Sequence, residues 1–371
     1  MCGGQAGRRR AGVKTKRIVH ISETEMHRES GMGRVACHWR DEFERRGHEF
    51  VHIGPSAAGP MMHPALFPYR AWRAYARLHR PASTFLVHEP ASGVFVKRGI
   101  PLAVFSHGVE RRHWQQSISD PTGAEGRVSL KERLTVPVRR LRHCDKGIRH
   151  AEFILAESRQ DQAFIQRYYG RSESEVFPFR NGIEPLDIEA SLEPEAFTVL
   201  FNGTWILRKG IAALSQAAQL LHDRGVPVKW VLAATQFSAE TVLKSWPSAL
   251  RADTRIIPTY PSDHEARLLA EASVFVLPSV FEGQPLSLLQ AMAAARCCIT
   301  TDCCGQRDLI HHQQNGLLMP IGDAPLLARH VERCFHDKAG RQRLGAAAKT
   351  SVQGRLWTSV AGEIVDRVLA L

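Results

Sequence analysis

The 371-residue sequence has no run approaching the ~20 consecutive apolar residues that a membrane-spanning helix requires. Basic residues Arg8, Arg9, Arg10, Lys14 and Lys16 lead only into the short run Ile18 to Ile21, which reads as a first core strand and not as a secretory signal. Internal repeats, low-complexity tracts and a P-loop are all missing, which argues against a solenoid, a disordered chain or a P-loop nucleotidase. The eight cysteines lack the regular spacing of a small disulfide scaffold, so reduced thiols in a cytoplasmic setting are expected. Cys297, Cys298, Cys303 and Cys304 form two adjacent pairs; neighbours on a strand point to opposite faces, so buried thiols are favoured over a metal site.

What remains is an ordinary globular balance, 44% hydrophobic and 23% charged, in a chain long enough for two domains. Acidic residues are under-represented, giving a net charge of +12. The first 190 residues hold 31 basic and 21 acidic residues, so the first half carries most of the excess. Such asymmetry suits an anionic membrane, a phosphorylated acceptor or nucleic acid, or is simply a solvated surface. No recognised nucleic-acid motif accompanies it, so no nucleic-acid partner is expected. Residues Tyr69 to Arg77 mix aromatic and cationic side chains as an interfacial helix would, with packing against the neighbouring sheet as the alternative.

Short apolar runs alternate with helical patterns. Strands are expected at Arg17 to Ser22, His48 to Gly54, Thr84 to His88, Pro101 to His107 and Ala151 to Ala156. Val35, His38, Trp39, Glu42 and Phe43 fall at helical spacing between the first two. After a polar, proline-containing stretch the rhythm restarts with Phe197 to Phe201, Lys229 to Ala233, Arg255 to Ile257, Val274 to Leu277 and Cys298 to Thr300. Ile211, Leu214, Ala218 and Leu221 form one helical stripe, and Val360 to Leu371 reads as a last helix. The pattern predicts an α/β protein of two doubly wound domains: a basic extension over 1–15, a first domain over 16–182, a linker over 183–196, a second domain over 197–355 and a helix over 356–371 returning to the first domain.

Three segments carry chemistry. Gly31 and Gly33 open a helix after the first strand, where backbone N–H groups can approach an anion. The run Phe201 to Gly210 leads from a strand through Gly203 and Thr204 to Arg208 and Lys209, cations at a helix start where an anion would relieve the conflict with the helix dipole. In Ser279 to Met292, Pro285 suits a first helical turn, so Glu282 lies in the loop just before it and Gln290 about a turn and a half inside the helix, both able to line one cleft.

Together with Ser106 to Glu110, Ala156-Glu157-Ser158, Arg180 to Ile183 and Asn315 to Leu318, these segments resemble the retaining glycosyltransferases of family 4, which have the GT-B fold of two Rossmann-like domains facing each other across a cleft. The resemblance covers nearly the whole chain and implies transfer of a sugar from a nucleotide-sugar donor to a glycan or lipid-linked acceptor with retained configuration. It assigns Lys209 to the donor diphosphate, Glu282 to hydroxyls of the donor sugar and His107 to the opposite wall near the reacting sugar. Gly31 and Gly33 would form a loop by the donor phosphate, and Gly203, Thr204, Arg208, Gly283, Pro285, Leu286 and Gln290 would complete the donor site. The sequence has no Asp-x-Asp pair, so neither a metal nor another cofactor is expected. Thr204 stands where the family usually has arginine, Gln290 where it has a second glutamate, and Cys303 to Asp308 replaces a glycine-rich stretch. These departures leave open a catalytically silent sugar-nucleotide-binding or membrane-associated partner subunit, or a nucleotide-sugar epimerase on the same fold. A cytoplasmic protein touching the inner face of the membrane is the expected location.

Overall fold

A computed structural model describes residues 15–119, 126–186 and 194–371. Most of the basic extension and the middle of the linker lie outside these residues.

Among the described residues, twelve strands form two separate parallel sheets. The first contains β1 (Arg17–Ile21), β2 (Glu49–Ile53), β3 (Thr84–His88), β4 (Leu102–Ser106), β5 (Phe153–Ala156) and β6 (Val176–Pro178), in spatial order β2-β1-β3-β4-β5-β6. The second contains β7 (Thr198–Asn202), β8 (Lys229–Ala233), β9 (Thr254–Ile257), β10 (Val274–Leu277), β11 (Cys297–Thr301) and β12 (Leu317–Met319), in order β12-β11-β10-β7-β8-β9. Each sheet reverses its strand order near its first strand, and in such sheets ligands bind beyond the carboxyl ends of the strands at that point.

Period-two alternation explains why both faces of the first sheet are buried. Val19, Ile21, Phe85, Val87, Val104 and Ile154 face one apolar layer. Ile18, Leu86, Ala103, Phe105, Phe153 and Leu155 face the other, together with Val35, Trp39 and Phe43 of the Gly31–Arg45 helix. Trp357, Val360, Ile364, Val365 and Val368 of the last helix, Trp357–Leu369, join that second layer. Fully burying each such side chain contributes roughly 1.5–3 kcal/mol, so the end of the chain belongs energetically to the first sheet. The chain crosses between the sheets at neighbouring points, with the Ile183 N–H donating to the Arg355 carbonyl at 2.7 Å.

The edge strands β6 and β12 have only three residues each, too few to show alternation in sequence. The last helix begins three residues before the expected Val360, because Trp357 packs flat on His38 with ring centroids 4.4 Å apart. The Phe67–Ala76 helix divides its aromatic residues: Tyr75 is buried, Trp72 is half-buried beneath the Arg98 guanidinium, and Tyr69 is exposed. Cys297 and Cys298 do point apart, the first toward Cys334 with sulfurs at 3.7 Å and the second toward the Arg296 carbonyl at 3.3 Å.

Candidate active site

The carboxyl ends of the two sheets face each other across a cleft holding two cavities. The larger, ≈ 810 Å³, lies between Ser30, Gly31 and Arg34 of the first domain and Asn202, Gly203, Thr204, Lys209, Pro285 and Leu286 of the second. Ser30 caps the long Gly31–Arg45 helix, its hydroxyl accepting from the Gly33 N–H at 3.1 Å. A Cβ on Gly33 would sit 2.3 Å from the Ser30 oxygen and 2.7 Å from the Glu25 carbonyl, so only glycine permits this tight entry. Gly31, the first residue of that helix, lines the cavity.

On the opposite wall, Lys209 ends a short 3₁₀ turn, Leu207–Lys209, and Gly210 separates it from the helix Ile211–Asp223. Lys209 therefore stands immediately before the N-cap of that helix, with Arg208 one residue earlier on the 3₁₀ turn. The Lys209 ammonium lies 2.5 Å from Glu282 Oε1, with both side chains largely buried. Burial pushes the Glu282 carboxyl up, but Lys209 and Arg208 outweigh it and hold the group below the usual carboxylate range. Thr204 lines the same cavity as Lys209, whereas Arg208 turns to the smaller one. Gln290 is buried inside the Leu286–Ala293 helix, and among the described residues its Oε1 has no hydrogen-bond partner; neither it nor Glu282, expected to line one cleft, lines either cavity.

The smaller cavity, ≈ 330 Å³, is lined by Ser22, His88, Glu89, His107, Glu110 and Arg208, among others. His107 follows β4, its Nδ1 lying 3.2 Å from Glu157 Oε1, and its buried Nε2 has no partner among the described residues. Glu89 is fully buried, accepting from the Ser106 hydroxyl at 2.6 Å and the Glu110 N–H at 3.1 Å. Burial and the nearby Glu110 carboxylate push the Glu89 carboxyl up to about 8.

Glu157 ties the halves of the site together. Besides His107 it accepts from Asn181 Nδ2 at 3.1 Å and from the Gln284 N–H at 3.1 Å, while the Gln284 amide donates to the Glu157 and Phe179 carbonyls. Gly283 makes this approach possible, since a Cβ there would lie 1.8 Å from Glu157 Oε2 and 2.7 Å from the His107 carbonyl oxygen. A second clamp, Arg34 to Glu265 at 2.9 Å, joins the domains beside the larger cavity. The Cys303 to Asp308 segment forms a third: the Cys304 N–H donates to Gln160, and Asp308 accepts from the Arg159 N–H.

The geometry thus brings Lys209 and Glu282 into contact, gathers Gly31, Gly203, Thr204, Pro285 and Leu286 around one cavity, and puts His107 and Arg208 on the other. Asn181, Glu157 and Gln284 lay in segments singled out in the sequence, yet their mutual pairing was not foreseen. Arg34, Tyr260 and Glu265 of the larger cavity carry no motif. Ala234 and Gln236, which also line it, have φ of 51° and 61°, strain that a sequence does not display.

Residues 196–337 match the family described as glycosyl transferases group 1. The amylovoran biosynthesis glycosyltransferase AmsK of Erwinia amylovora is 25% identical over 203 residues, 51% of this chain and 50% of that protein, so the chain spans about half the length of that relative. Sucrose-phosphate synthase from Thermosynechococcus elongatus superposes with a TM-score of 0.76 over 96% of this chain and 99% of that one, at 18% identity. The Anabaena protein HepE, solved in complex with UDP and glucose, superposes with a TM-score of 0.66 over 96% and 100%, at 15% identity. The chain therefore carries a glycosyl transferases group 1 domain, at residues 196–337, on the two-domain GT-B fold.

Proposed function

We propose that the protein is a retaining glycosyltransferase of the family 4 type that moves a sugar from a nucleotide-sugar donor to a glycan or lipid-linked acceptor without a metal. The observation that carries this reading is Lys209, which lines a cavity large enough for a sugar nucleotide and is paired behind its wall with the buried Glu282. In this reading the donor diphosphate takes Lys209 and the N–H groups at the Gly31 helix start, so its charge is met by fixed protein dipoles and one cation. Glu282, with Lys209 drawn to the diphosphate, accepts hydroxyl bonds from the sugar and favours the positive charge that develops at the anomeric carbon. The orphan Gln290 Oε1 suits a ribose hydroxyl, because a buried unpaired acceptor costs roughly 1–3 kcal/mol until something donates to it. His107, anchored by Glu157, presents Nε2 from the acceptor side.

A lipid-linked acceptor is supported by exposed apolar residues of the first domain. Leu130, Leu134 and Val138 are exposed at four-residue spacing, near Lys131, Arg133 and Arg139, and Tyr69 and Met62 are exposed as well. Apolar residues beside cations suit an anionic membrane surface at the cytoplasmic side. Among the described residues no helix is long and apolar enough to cross a membrane. The reading is tested by screening UDP- and GDP-linked sugars for thermal stabilisation and turnover, where a bound donor raises the melting temperature by mass action. Absence of both with every sugar nucleotide would reject it, and failure to bind anionic vesicles at low salt would reject the membrane contact.

A further inference from the structure

Three histidines on adjacent strands form a continuous hydrogen-bonded row. His20 on β1 and His52 on β2 are register partners, and His88 on β3 lies two residues beyond Leu86, the register partner of His20. With a side-chain period of two, all three leave the same face of the sheet. Their nitrogens meet in sequence: His52 Nδ1 to His20 Nδ1 at 2.9 Å, His20 Nε2 to His88 Nε2 at 3.0 Å, then His88 Nδ1 to Ser22 Oγ at 3.1 Å. Ser22 and His88 line the smaller cavity beside His107. At the far end, His52 Nε2 faces Glu25 Oε2 at 3.7 Å. A Cβ on Gly54 would lie 2.6 Å from both of those atoms, so the missing side chain leaves the carboxylate its access to the ring. Trp39 and Phe50 wall in the His20 ring.

Each nitrogen-to-nitrogen contact between neutral rings requires one proton, and a neutral His20 has one to share between its two contacts. The row therefore has only two self-consistent polarities. Glu25 biases the choice through its charge, 3.7 Å from His52 Nε2, which makes no hydrogen bond among the described residues: the favoured polarity has the His52 proton on Nε2, the His20 proton on Nδ1 and the His88 proton on Nε2, and His88 Nδ1 then accepts from the Ser22 hydroxyl. Burial, with lesser repulsion from His52 and His107, pushes His20 well below the ordinary histidine range, and burial, His107 and His20 do the same to His88. His52 is lowered by burial despite Glu25, with His27 also facing it. All three rings are accordingly neutral near pH 7.

We propose that Ser22, His88, His20 and His52 form a relay that carries the proton released by the acceptor hydroxyl from the cleft to Glu25 at the rim of the first domain. This rests on the transferase reading above. As the acceptor oxygen bonds to the anomeric carbon, the bond from that carbon to the diphosphate breaks and the diphosphate keeps the electron pair. The hydroxyl proton passes to Ser22 Oγ while the Ser22 proton passes to His88 Nδ1. His88 Nε2–H moves to His20 Nε2, His20 Nδ1–H to His52 Nδ1, and His52 Nε2–H to the Glu25 carboxylate. Each ring gains and loses one proton and is left as its other tautomer; the partly exposed Glu25 returns its proton to solvent, and flips of the three rings restore the starting polarity before the next turnover.

Two measurements on the full-length protein test this. Two-bond ¹H–¹⁵N correlation spectra at pH 7 should show His52 and His20 as opposite tautomers, protonated on Nε2 and Nδ1, with His88 protonated on Nε2. A different tautomer or an imidazolium at any of the three overturns the relay whatever the activity. The second measurement is hydrolysis of UDP-glucose, UDP-galactose, UDP-N-acetylglucosamine and GDP-mannose, with water as the acceptor. Glu25→Gln and His52→Gln, both near the rim, should lower kcat about 10- to 100-fold with donor KM changed less than about twofold, and abolish the solvent deuterium isotope effect. Added imidazole should restore part of kcat to His52→Ala. Unchanged kcat and isotope effect in folded Glu25→Gln and His52→Gln would remove the relay and leave the transferase reading intact. A wild-type protein that turns over no sugar nucleotide would remove both.

Discussion

Replacing Lys209 with methionine keeps the length of the side chain and removes its charge, so it separates the cation's two jobs. In the free protein Lys209 neutralises Glu282, whose side chain is only 9% exposed. Stripping one partner from a buried pair costs about 3–5 kcal/mol, because the other charge is left uncompensated. Arg208 also acts on Glu282, so the lower end, about 3 kcal/mol, is expected for Lys209→Met. Glu282→Gln should cost only about 1–2 kcal/mol, since its amide oxygen still accepts and Lys209 can reach water. The double variant has no stranded charge, and a double-mutant cycle should give a coupling of about 2 kcal/mol. Donor affinity follows a different rule: loss of a charge-assisted phosphate contact should weaken it by about 1.5–3 kcal/mol, roughly 10- to 150-fold, in the single and the double variant alike. Urea unfolding and titration calorimetry with the bound sugar nucleotide report the two effects. Full stability together with full donor affinity in Lys209→Met would refute the reasoning, as would a double variant that regains affinity along with stability.

Three further outcomes follow. His107→Ala should lower turnover by about 10²-fold or more with donor affinity nearly unchanged, as calorimetry and steady-state kinetics would show; weakened donor binding would move His107 to the donor side. Gln290→Ala should raise the apparent donor constant by the equivalent of about 1 kcal/mol while Gln290→Glu leaves activity intact, and loss of kcat in Gln290→Ala would contradict a ribose role. Glu89 titrates near 8 when folded against an ordinary 4.5, so its contribution to stability is complete below the lower value and is lost as pH rises toward the upper one. Melting temperatures of wild type and Glu89→Gln should therefore agree near pH 5 and diverge by pH 9, with the variant more stable; parallel curves would refute the assignment.

The strands that were legible in sequence were short segments rich in apolar or β-branched residues, such as Thr84–His88 and Val274–Leu277. The short edges β6 and β12 were not, because three residues carry no period and edge pairing is decided by the neighbouring strand. Gly31, Gly203, Lys209 and Glu282 stood out because glycine and charge beside a strand end are locally anomalous. The partner of Lys209 did not: residues 209 and 282 are joined only by the adjacency of β7 and β10. The same holds for His20, His52 and His88, which are scattered through ordinary apolar runs and become a row only when β1, β2 and β3 come into register.

The central claim is that a nucleotide sugar is bound in the cleft and its sugar passed on with retained configuration and no metal. The most direct measurement is proton NMR of the sugar released or transferred from an α-linked UDP- or GDP-sugar, recorded early in the reaction with excess EDTA. The account predicts turnover undiminished by EDTA and an α-configured first product. A β-configured first product, or turnover that EDTA abolishes and magnesium restores, would contradict it.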